Sequence, residues 1–309
     1  MISVVVPILN EEGSIISLHQ EIVKVMQKLG RQFEVIFVDD GSTDKTAEKL
    51  KTLKPLTVIT FRKNFGQTSA LDAGIKRSKG TYVITLDSDG QNDPADIPKL
   101  IGYLEKNNLD VVSGWRKKRL DNSSKKVFSR LAAIVRRFLI NDGIHDSGCT
   151  LKVYRRECFV EVDLYGEMHR FIPAILRIKG FKIGEIEVNH RTRIHGRTKY
   201  DWNRGLKGFL DMVSVWFWKK FANRPLHLFG GTGLVLGSFS LALFMFVVFQ
   251  KIFYVIDMSG SAFFSISLFG MVMGVQFVVF GLLADIMSKN YYASRKETAY
   301  VIKEVKENI

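Results

Sequence analysis

The sequence predicts an α/β domain built on a mostly parallel sheet, followed by a hairpin of two transmembrane helices. Three observations indicate this architecture: β-branched runs alternate with helical segments in the N-terminal part, acidic clusters follow two of these runs, and two uncharged apolar segments lie near the C-terminus. Strand–helix alternation is typical of parallel sheets. The apolar segments exceed the roughly 20 residues that a helix needs to cross a bilayer.

The strands and helices follow one another in regular order. Residues 3–8 are a β-branched run typical of a buried parallel strand, and residues 15–29 have helical periodicity that ends at Gly30. Further strands are predicted at 33–38, 56–61, 82–86 and from 110 to 113, and further helices at 44–53, 67–76 and 94–107. Ligands of such sheets bind at the carboxyl ends of the strands, where the acidic clusters fall.

Composition excludes several classes of protein. Hydrophobic residues make up 46% of the 309 residues, which excludes a disordered chain. Two cysteines, Cys149 and Cys158, are too few for a disulfide framework and form no CxxC metal motif. The formal net charge of +14 indicates an anionic partner, either a nucleic acid or a membrane surface.

The distribution of charge favours the membrane. Residues 228–250 and 258–284 carry no charged side chain, and the only charged residues of the loop between them are Lys251 and Asp257. The outer flanks are basic, with Lys219, Lys220 and Arg224 before the first segment and Lys289, Arg295 and Lys296 after the second. Since basic flanks stay in the cytoplasm, we expect both termini to be cytoplasmic.

Four regions follow from this pattern. Residues 1–204 form the α/β domain, residues 205–225 an amphipathic helix at the membrane interface, residues 226–288 the two transmembrane helices and residues 289–309 a cytoplasmic tail. Small residues within the spans permit association into a homo-oligomer.

The first chemical cluster is Asp87-Ser88-Asp89-Gly90-Gln91, directly after a predicted strand. Two carboxylates one residue apart at a turn can reach a single cation, and oxygen ligands in an incomplete cage suit Mg²⁺ or Mn²⁺. An ordinary acidic turn is the alternative interpretation. No GxGxxG follows the first strand and no GxxxxGK[ST] occurs, so the sequence predicts no glycine cradle for a nucleotide.

The second cluster, Asp39-Asp40-Gly41-Ser42-Thr43-Asp44, also follows a strand. One of its carboxylates can accept hydrogen bonds from the N–H groups of a nucleotide base. Ser42 and Asp44 are better interpreted as caps of the following helix, and Gly41 as a turn residue.

Four motifs together resemble glycosyltransferase family 2. They are Pro7-Ile8-Leu9-Asn10-Glu11, residues 39–46, Asn64-Phe65-Gly66 with Ala70 and Gly74, and Asp87-Ser88-Asp89. The resemblance implies the GT-A fold, a nucleotide-sugar donor, a divalent metal and an inverting mechanism. It also implies a donor site made of Pro7, Asn10, Glu11, Asp40, Asn64, Gly66, Asp87 and Arg193.

A narrower resemblance links the chain to the dolichol-phosphate mannose synthase group, which includes the bacterial polyprenyl-phosphate glycosyltransferases. Residues 87–94 are similar to the group's metal motif, which implies Asp87, Asp89 and Gln91 as metal ligands. Residues 146–148 resemble its Asp-x-Gly segment, and residues 193–200 its Arg-x-x-Gly-x-Ser/Thr-Lys-Tyr loop. Two positions depart from the pattern: Arg197 stands where Glu is frequent, and Lys125 where Arg is usual.

This resemblance implies transfer of one sugar from a UDP- or GDP-hexose to undecaprenyl or dolichyl phosphate at the cytoplasmic membrane face. It implies Asp89, Asp146, Arg193 and Lys199 as catalytic residues, and Arg116, Lys125 and Ser129 as the acceptor-phosphate site. Because a phosphate oxygen is already anionic at neutral pH, the reaction needs no strong general base. It needs a metal and cations that neutralise the leaving diphosphate.

Two amphipathic segments point to the bilayer as a partner. Residues 125–141 place apolar side chains on one helical face and five Lys and Arg side chains off it, which is typical of helices on anionic membranes. Packing on the sheet with a solvated basic face is the alternative. Residues 209–221, rich in aromatics, resemble a second interfacial helix.

Rival functions remain beside this hypothesis. A processive polysaccharide synthase would carry a Gln-x-x-Arg-Trp motif, which the chain lacks, and a nucleic-acid-binding protein would not place its basic residues around apolar spans. A non-catalytic membrane scaffold would not need the Asp87–Asp89 motif with Arg193 and Lys199. A family 2 enzyme that acts on another lipid or glycan acceptor stays open.

Overall fold

The structure, a computed structural model, describes residues 1–117, 143–160, 162, 164, 168–192, 213, 216–217, 221, 225–254, 261–293 and 302–308. The chain divides into two compact units. The first unit comprises Met1–Val215 and Thr298–Ile309, and the second comprises Trp216–Glu297.

Over residues 2–115 of the first unit, strands and helices alternate in the predicted order. The strands are β1 (Ile2–Ile8), β2 (Phe33–Asp39), β3 (Leu56–Phe61), β4 (Tyr82–Thr85), β5 (Val111–Trp115), β6 (Lys152–Arg155), β7 (Ile183–Glu187) and β8 (Ile302–Asn308). The helices are α1 (Ile15–Leu29), α2 (Thr46–Leu50), α3 (Gln67–Arg77), α4 (Ile97–Lys106) and α5 (Ile172–Ile178). The predicted helix at 94–107 begins as a 3₁₀ turn at Pro94–Asp96.

The described strands form one mixed sheet in the order β7-β5-β6-β4-β1-β2-β3-β8. The pairs β4–β1, β1–β2, β2–β3 and β5–β7 are parallel. Strand β6 runs antiparallel to both β4 and β5. As a result, strands β1 to β5 and β7 all end at one side of the sheet, here called the carboxyl edge, and β6 begins there.

Two apolar layers cover the sheet and hold this edge in place. One face of β1, with Val4 and Val6, packs with apolar residues of α1 and α4. The other face, with Val5, packs with residues of α3 and α5. Strands buried on both faces need apolar side chains at nearly every position, which is why Val4, Val5, Val6 and Ile8 are all β-branched. The rigid sheet therefore positions the loops at its carboxyl edge.

The second unit contains two long apolar helices, α6 (Pro225–Tyr254) and α7 (Ala262–Ala293). Both are long and apolar enough to cross a membrane. They pack closely through glycines, since a Cβ atom added to Gly274 would lie 2.9 Å from the carbonyl oxygen of Gly233 and 2.9 Å from the Cα of Gly237. Small residues that let two backbones approach are typical of membrane helix pairs.

Replacing Gly274 by Leu is expected to separate these helices. The new side chain would meet backbone atoms of Gly233 and Gly237, which cannot move aside, and overpacking of this kind costs about 1–3 kcal/mol. Thermal unfolding in detergent should therefore begin at a lower temperature. Gly231→Leu is the matched control, because an added Cβ there meets nothing within 4 Å. Equal melting temperatures for the two variants would contradict the prediction.

The C-terminal segment differs from its predicted description as a tail. Residues 302–308 form β8, which pairs antiparallel with β3 along Leu56–Phe61. The strand extends the sheet of the first unit, although it lies beyond both apolar helices in the sequence. A tail rich in alternating Lys and Glu gave no clear strand signal, because such residues are depleted in strands and tolerated mainly at edges.

Deleting residues 302–309 is expected to destabilise the first unit. The deletion leaves β3 as an unpaired edge, with its outer N–H and C=O groups open to other chains. A loss of about 2 kcal/mol would lower the melting temperature by roughly 4–8 °C. Scanning calorimetry and light scattering measure this shift and the expected aggregation. Removing Ile309 alone is the control, and an unchanged melting temperature for the long deletion would refute the role of β8.

Candidate functional site

The carboxyl edge gathers most of the residues that the sequence assigns to a donor site. Pro7 lies near the end of β1 and Asn10 follows it, Asp40 follows β2, and Asp87 follows β4. The antiparallel direction of β6 adds Thr150 and Lys152 to the same edge. The positions that lie outside the described residues are Lys125, Ser129, Arg193, Arg197 and Lys199, together with most of the two predicted interfacial helices.

The loops after β1 and β2 are joined by hydrogen bonds. The backbone N–H of Asn10 donates to Ser42 Oγ at 3.0 Å, and the N–H of Thr43 donates to Asn10 Oδ1 at 2.8 Å. Gly41 permits this arrangement, because its φ is +76° and a Cβ would lie 2.7 Å from the backbone of Lys63. The two loops thus form one rigid wall of the site.

Asp40 fixes the third loop of the edge. Its Oδ1 accepts the N–H of Phe65 at 2.7 Å, and its Oδ2 accepts the N–H of Gly66 at 2.9 Å. Burial raises the pKa of Asp40, and these two hydrogen bonds partly offset the rise. The carboxylate therefore holds the Asn64–Gly66 loop beside the loop after β2, and its remaining lone pairs are what a base could contact.

The Asp87–Asp89 motif forms the centre of the carboxyl edge. Gln67 Nε2 donates to Asp87 Oδ1 at 2.7 Å, the Thr150 hydroxyl also bonds this carboxylate, and the N–H of Gln91 donates to Asp89 Oδ1 at 3.1 Å. Burial, followed by the negative charge of Asp89, raises the pKa of Asp87 to about 6. A cation bound between two carboxylates that repel each other would relieve this repulsion.

A buried ion pair lies at the end of β5. Arg116 Nε and Nη2 donate to the two carboxylate oxygens of Asp146 at 2.7 and 3.0 Å, and the two side chains are 10% and 8% exposed. Burial opposes the charged form of Arg116, but the hydrogen bonds and charge of Asp146 raise its pKa above the ordinary value. The planar, two-point contact fixes the orientation of the guanidinium group.

A buried lysine and a small pocket extend the site inward. Lys152, 2% exposed, donates from its ammonium group to the carbonyl oxygen of Cys149. Burial lowers its pKa. The pocket is lined by Gln67, Asp87, Lys152 and His169 together with Pro7, Leu71, Thr85, Leu86, Thr150, Tyr154 and Ile172. His169 Nδ1 lies 2.9 Å from Thr68 Oγ1, a hydrogen bond that joins this histidine to α3.

Sequence reasoning missed Gln67, Lys152 and Glu185. Gln67 directly follows the Asn-Phe-Gly motif, and Lys152 is a charged residue within the buried strand β6. Either feature could have identified its residue as a candidate for the site. Glu185, 8% exposed, accepts the backbone N–H groups of His145 and Asp146. Its position in β7 gave no comparable signal, because a Glu in a short strand usually faces water.

Comparisons with known proteins extend along nearly the whole chain. The family described as glycosyl transferase family 2 matches residues 3–162. A dodecaprenyl-phosphate galacturonate synthase from Rhizobium johnstonii is 35% identical and the match covers 98% of this chain and 92% of that protein. An undecaprenyl-phosphate 4-deoxy-4-formamido-L-arabinose transferase from Pseudomonas aeruginosa is 32% identical, with 99% and 90% covered.

Solved structures share the fold over about 70% of this chain. Glucosyl-3-phosphoglycerate synthase from Mycobacterium tuberculosis, solved with Mn²⁺, UDP-glucose and phosphoglyceric acid, gives a TM-score of 0.56 at 20% identity over 71% of this chain and 79% of that one. Mannosyl-3-phosphoglycerate synthase from Rubrobacter xylanophilus gives 0.57 at 16% identity over 70% and 74%. At these identities the likeness shows a common GT-A type of fold.

Proposed function

The chain belongs to glycosyl transferase family 2, and from this premise we propose that it transfers one sugar from a nucleotide-sugar donor to a polyprenyl phosphate. One observation carries the proposal. The two relatives described above match at least 98% of this chain, apolar helices included, and both are named for sugar transfer to a polyprenyl phosphate although their sugars differ. A shared acceptor with varying sugars is what a common anchor and a variable donor pocket would produce.

The donor diphosphate would bind at Asp87, Asp89 and Gln91 through a divalent cation. Within the described part of the chain, no group of three His, Cys, Asp or Glu side chains is arranged to hold a metal. Two carboxylates with an amide oxygen fit a cation whose other ligands are phosphate oxygens. When bound, Mg²⁺ or Mn²⁺ would supply charge that stabilises the leaving diphosphate.

The nucleoside would lie against the wall formed by the loops after β1, β2 and β3. Asp40 and Asn10 are held there by backbone hydrogen bonds, so they would present preset acceptors to a base or ribose. Glu11 is held by a hydrogen bond from its own N–H to Thr46 Oγ1 at 3.0 Å. Such a preorganised wall lowers the entropy lost on binding. Pro7, Asn64, Gly66 and Arg193 would complete the donor site.

The acceptor phosphate would approach Arg116, with Lys125 and Ser129 as further contacts. Its oxygen attacks the anomeric carbon as the bond from that carbon to the diphosphate oxygen breaks, which inverts the configuration at this carbon. Asp146 is held by two hydrogen bonds to Arg116, an arrangement that suits orientation of the guanidinium better than removal of a proton. Arg193 and Lys199 would add positive charge on the donor side.

The topology supports a catalytic unit on one side of the membrane. Strand β3 precedes the two apolar helices and β8 follows them, yet the two strands are paired. A chain that crosses a bilayer twice returns to its starting side, as this pairing requires. The basic residues that flank the spans then favour the cytoplasmic side.

Mass spectrometry of the lipid product tests the proposed function. Purified protein in detergent would be mixed with undecaprenyl phosphate, Mn²⁺ and, in separate reactions, UDP-galacturonate, UDP-4-deoxy-4-formamido-L-arabinose, UDP-glucose and GDP-mannose. One donor is expected to give a polyprenyl-phosphate monosaccharide. Product on another glycan or lipid acceptor only would indicate a different family 2 activity, and donor binding without any product would favour a scaffold.

A further inference from the structure

The carboxylate of Glu185 contacts the turn that carries Asp146. Its Oε1 accepts the backbone N–H of Asp146 at 2.9 Å, and its Oε2 accepts the backbone N–H of His145 at 2.9 Å. The ring Nδ1 of His145 lies 2.8 Å from Oε2 as well. Three groups from two consecutive residues thus contact one carboxylate.

From these contacts we propose that Glu185 is a positioning residue, which sets the Asp146–Arg116 pair in place for the acceptor phosphate. The inference rests on the proposed function. Glu185 lies within β7, where it pairs with Ser113 of β5. Arg116 directly follows β5, so the two ends of the contact chain are attached to adjacent, hydrogen-bonded strands.

Burial of the Glu185 carboxylate makes these hydrogen bonds necessary. The Glu185 side chain is 8% exposed, and a carboxylate withdrawn from water needs hydrogen-bond donors to offset its desolvation. Hydrogen bonds to an ionised carboxylate are stronger than those between neutral groups. They fix the backbone of Asp146, while the stacking of His145 on Trp115, at 4.6 Å between ring centroids, fixes the preceding residue.

Fixing this turn determines where Arg116 points. The guanidinium is oriented by Asp146 through two parallel hydrogen bonds, so a displaced Asp146 would displace the donors that face the phosphate. Substrate-positioning groups are sensitive to displacements of about 1 Å. The contact chain from Glu185 to Asp146 to Arg116 therefore links a residue that does not touch substrate to the acceptor site.

Glu185→Gln tests the proposal with little change of shape. Glutamine offers one acceptor oxygen, and its amide N–H would face a backbone N–H of the turn. The variant is expected to raise KM for undecaprenyl phosphate or lower kcat by about tenfold, as for one lost charge-assisted bond, with KM for the donor unchanged. Glu187→Gln is the matched control, since Glu187 lies on the same strand but is half-exposed and pairs with Lys117.

A double-mutant cycle with Asp146→Asn separates positioning from general stability. If Glu185 acts through Asp146, adding Glu185→Gln to Asp146→Asn should change kcat/KM by less than about twofold. Equal losses in both backgrounds, wild-type activity for Glu185→Gln, or wild-type activity for Asp146→Asn would each overturn the inference. If the wild-type protein glycosylates no polyprenyl phosphate at all, the proposed function fails instead.

Discussion

Replacing Asp87 by Asn is expected to abolish sugar transfer and to make the metal-free protein more stable. The loss of activity follows from the proposed role of Asp87 in holding the cation, and should be on the order of 10²–10³-fold, as for other groups that stabilise transition-state charge. The gain in stability follows from removing a carboxylate whose charged form is disfavoured by burial and by Asp89. Functional residues often lower the stability of the protein when its ligand is absent.

The stability effect depends on pH with a defined sign. Because the pKa of Asp87 is about 6 in the folded protein against an ordinary 3.8, the folded state binds more protons between these values. The free energy of unfolding of the wild type should therefore fall as pH rises from about 4 to 6. Asp87→Asn should gain about 1–3 kcal/mol over the wild type at pH 7.5 and much less at pH 4.5.

Thermal unfolding with EDTA at both pH values measures this gain, and product formation with Mn²⁺ measures the activity. Asp110→Asn is the matched control, since Asp110 precedes β5 at the opposite edge of the sheet and accepts the N–H of Lys182 at 2.7 Å. It should keep its activity. An active Asp87→Asn enzyme, or one that is less stable than wild type at pH 7.5, would contradict the assignment.

Replacing Arg116 by Lys is expected to weaken binding of the lipid phosphate. Lysine keeps the charge but cannot make the two parallel hydrogen bonds to Asp146, so the cation would lose its fixed direction. The loss of one charge-assisted bond predicts a rise in KM for undecaprenyl phosphate of roughly tenfold to hundredfold. KM for the nucleotide sugar should stay within about twofold of wild type.

Steady-state kinetics with each substrate varied in turn measures the two KM values separately. Arg155→Lys is the control, because Arg155 lies at the end of β6 on the opposite edge and pairs with Asp110. A parallel rise in both KM values would show that Arg116 supports the fold rather than the acceptor. Unchanged kinetics would place the acceptor phosphate elsewhere.

The periodicity of the sequence was sufficient to predict the parallel core and the two apolar helices. The β-branched run at 3–8 indicates a buried strand, and the uncharged run at 228–250 indicates a membrane helix. Strand β1 and helix α6 lie at these positions. The family resemblance is confirmed, as is the GT-A type of fold. Strand β8 was missed because its pairing with β3 joins residues about 250 positions apart, beyond any local pattern.

The site was only partly predictable for a related reason. Short motifs after strands, such as residues 87–91, are local and were found. The contacts of Glu185 with the Asp146 turn span 39 and 40 residues, and the contact of Gln67 with Asp87 spans 20. Which carboxylate faces which N–H is decided by the sheet order, and one sequence alone does not give that order.

The position of the bound metal tests the central claim most directly. Crystals or cryo-cooled samples of the full chain with Mn²⁺ and the nucleoside diphosphate of its productive donor would be examined, in the crystal case by anomalous scattering at the manganese edge. We expect one ion with ligands from Asp87 and Asp89 and from the diphosphate. An ion bound elsewhere, or a diphosphate held without any ion under conditions of turnover, would contradict the account.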